Sequence, residues 1–182
     1  MNKSWIATAA LFAAAAVPAC VQATDADHFD LVPRSEYIEL IREAPLAYGN
    51  KHYAEAFAKY QRLACAGDKA GQAALGGMYL KGQGVARDDL AGYTWLKVAS
   101  EYDAPSFRVI VKAIEEHLTP AQLNYAGGKA ENLRALYGLR ATNMSCTEGS
   151  TSSYASNLKD TVVCMPSVQA GQFALHQCVE TK

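Results

Sequence analysis

A chain of 182 residues with 50% hydrophobic and 19% charged side chains is long enough to bury a core and too apolar to be a disordered tail. Its net charge of −1, from 17 basic and 18 acidic residues with no basic stripe, removes nucleic acid from the expected partners. No transmembrane span is expected in the mature chain, because the apolar run Trp5 to Val17 falls short of the about 20 residues a spanning helix needs.

That run follows Lys3 and leads through Pro18 to the small-residue exit Val21, Gln22, Ala23, which is the order of a cleaved secretory leader. Residues 1–23 are therefore expected to be removed after Ala23 and the remainder exported, with the periplasm as the expected compartment. Val17, Pro18, Ala19 and Cys20 offer an alternative, a lipid anchor on Cys20, although a proline inside that box departs from the usual pattern. Residues 24–34, which carry Asp25, Asp27 and Asp30, are expected to be a loose N-terminal segment.

Ser35 then caps a helix whose apolar face is Ile38, Leu40, Ile41 and Ala44, with Pro45 expected to bend or end it. Gly49 and Asn50 make a turn. Lys51 to Ala66 reads as an amphipathic helix with Tyr53, Ala56, Phe57, Tyr60, Leu63 and Ala64 on one side, stopped by Gly67 and Asp68. The stretch from Ala73 to Ala104 is a helix hairpin: Ala74, Leu75, Met78 and Tyr79 form one stripe and Leu90, Ala91, Trp95, Val98 and Ala99 another. Gly82, Gln83, Gly84 and Val85 break them. Gly76 and Gly77 allow a second helix close approach, and neither helix covers its own apolar face, so the hairpin needs neighbours stacked on it.

An offset of 35 residues superimposes Ala56 on Ala91, Tyr60 on Trp95, Leu63 on Val98, Ala64 on Ala99 and Asp68 on Asp103, and carries Ala74 and Leu75 onto Val109 and Ile110. The chain thus repeats a helix-turn-helix unit. Ala74, Leu75, Gly76, Tyr79, Gly82, Gly84, Val85, Asp88, Ala91, Trp95, Lys97 and Ala99 resemble the signature of the Sel-one-like repeat family, relatives of the tetratricopeptide repeat. The resemblance spans roughly Ala44 to Leu118. It implies an all-α fold, a short α-solenoid that holds protein partners, in a family whose members are often exported bacterial envelope proteins, and it implies no enzyme.

The third unit lacks the LG-x-x-Y and G-x-G-V elements, so its first helix, Pro105 to Leu118, is expected to cap the stack. Thr119 and Pro120 open a last helix, Ala121 to Tyr137, that Gly127 and Gly128 weaken by about 1 kcal/mol each and that Gly138 ends. The solenoid is thus expected over 35–140 and a small, disulfide-tied C-terminal tail over 141–182, with a short strand at Val162 and Val163. Setting Cys20 aside, four cysteines allow three pairings in an exported chain. Cys146 with Cys164 and Cys65 with Cys178 is the expected set, the second fastening the tail to the solenoid.

Catalytic and metal-binding patterns are weak. His28, His52, His117 and His176 are scattered, no C-x-x-C or H-E-x-x-H spacing occurs, and His117 beside Glu115 and Glu116 reads as a solvated helix end. No cofactor or metal is expected. Ser156 and Lys159 match the S-x-x-K of penicillin-binding proteins, but the partner motifs S-D-N and K-T-G are missing. An exported protein-interaction module of the cell envelope is the expected function, with a β-lactam-binding or cell-wall-active enzyme using Ser156 as the alternative. Tyr53, Tyr60, Tyr79 and Trp95 read as inter-helix wedges, whereas Tyr93 and Tyr102, with Lys97 and Arg108, are expected to border a partner-binding groove.

Overall fold

A computed structural model of the protein describes residues 29–149, 161–166 and 172–176. Six helices stand among them: α1 (Arg34–Gly49), α2 (Tyr53–Cys65), α3 (Lys69–Lys81), α4 (Asp89–Ala99), α5 (Pro105–Glu115) and α6 (Pro120–Tyr137). Four strands accompany them: β1 (Phe29–Pro33), β2 (Met144–Gly149), β3 (Thr161–Pro166) and β4 (Gln172–His176). Successive helices pack on one another from α1 through α4, and both α5 and α6 lie against α4. The result is a short α-solenoid of helix pairs.

Each helix end has a local cause. Asp68 takes an extended conformation and its carboxylate accepts the Gly71 N–H, so the residue expected to stop α2 serves as the N-cap of α3. Gly82 ends α3 in the left-handed region at φ 63°, donating to the carbonyls of Met78 and Tyr79. Asp88 caps α4 through the Ala91 N–H at 2.9 Å. Thr119 and Gln122 form a capping box on α6, with Pro120 in the first turn, where a missing N–H costs nothing. Gly127 and Gly128 do not interrupt that helix.

Pro45 neither ends nor breaks α1, which runs on to Gly49. Proline removes only one amide donor, and Ala44 and Ala47 on either side of it are buried in the packed face. The repeat register also differs from expectation in the third unit. The 35-residue offset holds where Ala64 and Ala99 are both buried, but α3 starts at Lys69 and α5 at Pro105, 36 residues apart. The longer turn before α5 slips the frame by one residue. Val111, 6% exposed, therefore stands where Leu75 does, while Ile110 and Val109 face solvent, the latter 68% exposed.

The ends of the chain depart furthest from expectation. Residues 29–33, expected to be loose, form β1, which pairs antiparallel with β4 in the register Phe29↔His176 to Pro33↔Gln172. β2 and β3 form a second antiparallel ribbon with Cys146 directly opposite Cys164. The strand expected at Val162 and Val163 is the core of β3, and its partner in the ribbon is the preceding strand β2. Nor is this ribbon a separate appendage. Met144, Val162 and Cys164 share one cluster with Tyr37, Leu40, Leu63, Ala99 and Phe107, so the hairpin lies along the edge formed by the turns between helix pairs.

The register slip is testable by equilibrium urea unfolding. Val111→Ala is expected to cost about 1–3 kcal/mol and Val109→Ala less than about 0.5 kcal/mol. Equal costs at the two positions would contradict the placement of Val111 in the core.

Candidate functional site

The residues of the repeat signature are used up in packing and turns. Gly76 and Gly92 bring α3 and α4 together so closely that a Cβ on Gly76 would stand 2.8 Å from the Gly92 carbonyl oxygen. Tyr79 packs edge-on against Phe57 at 5.3 Å, and Trp95 stacks on Tyr137 at 6.1 Å. Tyr60, the counterpart of Trp95, is half-buried between the cluster of Tyr37 and Leu63 and that of Ala56 and Met78. Gly84 has φ 76° and abuts the Tyr53 backbone, which leaves no room for a side chain. Beside it Gln83 accepts a 2.8 Å hydrogen bond from the Tyr48 hydroxyl and ties the turn to the end of α1. Leu75 and Ala99 are buried, and Val85 and Ala91 are half-buried.

The four residues expected to border a groove do not gather into one. Tyr93 is only 3% exposed, with its ring in the core formed by Leu96, Val111 and Ala126. Its hydroxyl alone reaches the rim, donating to Glu115 Oε1 at 2.8 Å, where the Lys97 ammonium also donates at 3.1 Å. Tyr102 is half-buried against a different cluster, that of Tyr37 and Phe107. Arg108 is exposed and ion-paired with Asp103. Helical spacing places Tyr93 off the stripe of its own hairpin, but α5 and α6 supply a second buried face that such spacing does not show.

Glu115, read from sequence as part of a solvated end with His117, instead anchors this contact between α4 and α5. His117 itself is exposed, its Nδ1 lying 3.0 Å from the Ala113 carbonyl oxygen. Ser156, Lys159 and Cys178 lie outside the described residues.

A buried polar cluster escaped sequence reasoning altogether. The Tyr37 hydroxyl donates to Asp68 Oδ2 at 2.7 Å and shares its proton with the Cys164 carbonyl at 3.1 Å. The Lys69 side chain, 0% exposed, donates to Glu101 Oε2 at 2.7 Å and to Gln72 Oε1 at 3.0 Å. Gln72 in turn donates to the carbonyls of Ala64 and Tyr137, and Glu101 accepts the Leu139 amide. Burial pushes the Asp68 carboxyl above its usual range, the Tyr37 phenol up and the Lys69 ammonium down. Each charge is hydrogen-bonded and only Glu101 is partly open to solvent, so the cluster ties α1, α3, the turn after α4, the segment after α6 and β3 together as a structural unit. Asp68 and Lys69 look in sequence like ordinary turn residues, because the groups that enclose them, Tyr37, Glu101 and Cys164, come from distant parts of the chain.

Among the described residues, no group of three or more His, Cys, Asp or Glu could hold a metal ion, and no helix is long and apolar enough to cross a membrane. The Cys146–Cys164 disulfide is formed. Cys65, buried in α2, is also disulfide-bonded, to a cysteine outside the described residues.

No protein-family model matches the chain, and no curated protein does. A solved structure that is similar to it is a protective antigen of uropathogenic Escherichia coli strains displaying an SLR fold, at 28% identity and a TM-score of 0.46. The likeness covers 50% of this chain and 20% of that one, so this chain matches about a fifth of the antigen's length.

Two substitutions test these contacts. Tyr37→Phe strands a buried carboxylate oxygen of Asp68 and is expected to lower stability by about 1–3 kcal/mol in urea titrations, with an unchanged value excluding the cluster. Glu115 is held below the usual carboxylate range first by the Tyr93 hydrogen bond and then by Lys97. Its folded pKa lies below the ordinary 4.5, so its contribution is complete above that pH and is lost as the pH falls through the folded value. Glu115→Gln is therefore expected to cost under about 1 kcal/mol at neutral pH, because the site is partly exposed. The gap to the parent protein should close in acid; a gap that widens there contradicts the assignment.

Proposed function

We propose that the protein is an exported interaction module of the cell envelope, built on Sel-one-like repeats, that holds a protein partner on its helical stack. The observation that carries this reading is the use of the repeat signature. Turn glycines, wedge aromatics and buried charges all serve the stacking of helix pairs, which leaves exposed helix faces as the working surface. Export is supported by disulfide bonding at Cys146, Cys164 and Cys65, since such bonds persist in oxidising compartments. The leader over 1–23, with cleavage after Ala23, and a periplasmic address belong to the same proposal.

Of the four candidate contact residues, Arg108 is the one fully open to a partner, and Val109 and Ile110 beside it on α5 are exposed apolar side chains. Lys97 and Tyr102 contribute only their partly exposed portions, and Tyr93 supports the surface from beneath. The Cys65 pairing proposed is with Cys178, because β4 packs against α2 and ends at His176, two residues before that cysteine.

The decisive experiment is crosslinking in the native envelope followed by capture of the tagged protein. The reading expects one stoichiometric partner whose recovery falls at least about tenfold in Arg108→Ala/Val109→Ser, a loss equal to about 1.4 kcal/mol of binding. Undiminished capture by a folded variant contradicts the assigned surface. Covalent labelling of Ser156 by a fluorescent penicillin, with no protein partner recovered, would replace the reading with an enzyme.

A further inference from the structure

The contacts that hold the β2–β3 ribbon on the helical edge converge on Cys164. This residue is 1% exposed, its carbonyl oxygen faces the Tyr37 hydroxyl at 3.1 Å, and its sulfur lies 3.4 Å from the Lys69 amide nitrogen. Lys69 is the first residue of α3, so that N–H is one of the helix's unpaired N-terminal donors, where partial positive charge favours an anion. Cys146, directly opposite on β2, is only half-buried. Cys146 is thus the more open residue of the pair, and the Cys164 sulfur rests against a helix N-terminus.

We propose that Cys146–Cys164 is an exchange-competent disulfide, a reaction site for an external dithiol, whose reduction lets the ribbon lift from the helical edge. A thiolate of the dithiol attacks Cys146 Sγ and forms a mixed disulfide there. The original S–S bond breaks and its electron pair leaves on Cys164 Sγ, a departure that the Lys69 N–H and the end of α3 favour by stabilising the thiolate. The second thiol of the reagent, deprotonated in turn, attacks its own mixed-disulfide sulfur and expels Cys146 as thiolate. The dithiol is oxidised by two electrons to its disulfide, the protein bond is reduced by two, and the two protons released by the reagent end on Cys146 and Cys164.

The same geometry sets the consequence. Met144, Val162 and Cys164 cover Tyr37, Leu40 and Phe107, so lifting the ribbon bares an apolar edge of the solenoid. The remaining helices keep cores of their own, around Val98 and Leu133 and around Tyr93 and Leu96, to which the ribbon contributes nothing. Release is therefore local. Cys65, fully buried in the first of those cores, offers its own sulfur to no such reagent.

The test uses the full folded protein. It is treated with reduced glutathione under native conditions, quenched with acid, alkylated, and mapped by peptide mass spectrometry. The glutathione adduct is expected on Cys146 at least about tenfold over Cys164, with Cys164 recovered as an alkylated thiol and Cys65 still disulfide-bonded. Dithiothreitol under the same conditions should raise amide hydrogen exchange in the first turns of α1 and in β2 by at least about tenfold while leaving α4 unchanged. Adducts shared equally or found on Cys164, Cys65 reduced at the same concentration, or exchange rising equally in α4 would each overturn the proposal. The double variant Cys146→Ser/Cys164→Ser should show the raised exchange without reductant; if it does not fold, the adduct distribution on the unaltered protein decides.

Discussion

The structure depends on how closely α3 approaches α4. Gly76 and Gly92 face each other across the pair, and a Cβ on either would stand within 3 Å of the other's carbonyl oxygen. With backbones that near, Leu75, Leu96 and Val98 become fully buried in a unit whose helices are short. Isolated helices of 11 and 13 residues are marginal in water, so their persistence comes from this packing. Everything outward follows: α2 and α1 stack on one side and α6 and α5 on the other, because a lone pair would leave an apolar face in water.

Stacking solves the faces of the helices but not their ends. The turns between pairs leave the first amides of α3 and the apolar residues Tyr37, Leu63 and Phe107 at one edge, where a longer repeat array would offer nothing to cover them. Here the β2–β3 ribbon covers them, with Cys164 meeting the Lys69 amide and Thr142 packing on Gly67. The cluster of Tyr37, Asp68, Lys69, Gln72 and Glu101 is the polar counterpart of that cover. Its charges are tolerated because every one is hydrogen-bonded from several elements at once, which ties the register of the ribbon to that of the helices.

This division explains what could be read from sequence. Helices α2, α3 and α4 were legible because their signals are local: the stop at Gly67 and Asp68, the break from Gly82 to Val85, and small and aromatic residues at helical spacing. The Cys146–Cys164 bridge was legible from compartment and spacing. β1 was not, because a five-residue run pairs with a strand more than a hundred residues away and nothing near it announces the partner. The slip that buries Val111 in place of Ile110 was hidden by a single extra turn residue, which an offset comparison absorbs silently. Tyr93 looked available because its own hairpin does not bury it; α5 and α6 do. Lys69, a lysine with no exposed side-chain surface, could not be separated from its solvated neighbours without knowing that Glu101, 32 residues on, comes to meet it.

The account stands or falls on the contact between α3 and α4, and two adjacent glycines separate it from ordinary helix propensity. Gly76 touches Gly92 and Leu96, whereas Gly77, its neighbour in the same helix, has open space around its Cα. Alanine at each position, measured by urea unfolding, should give opposite signs. Gly76→Ala is expected to cost about 2–4 kcal/mol through overlap with the facing backbone, and Gly77→Ala to add up to about 1 kcal/mol of stability. Two substitutions that stabilise equally would mean that the helices do not meet there, and the stacked architecture would be contradicted.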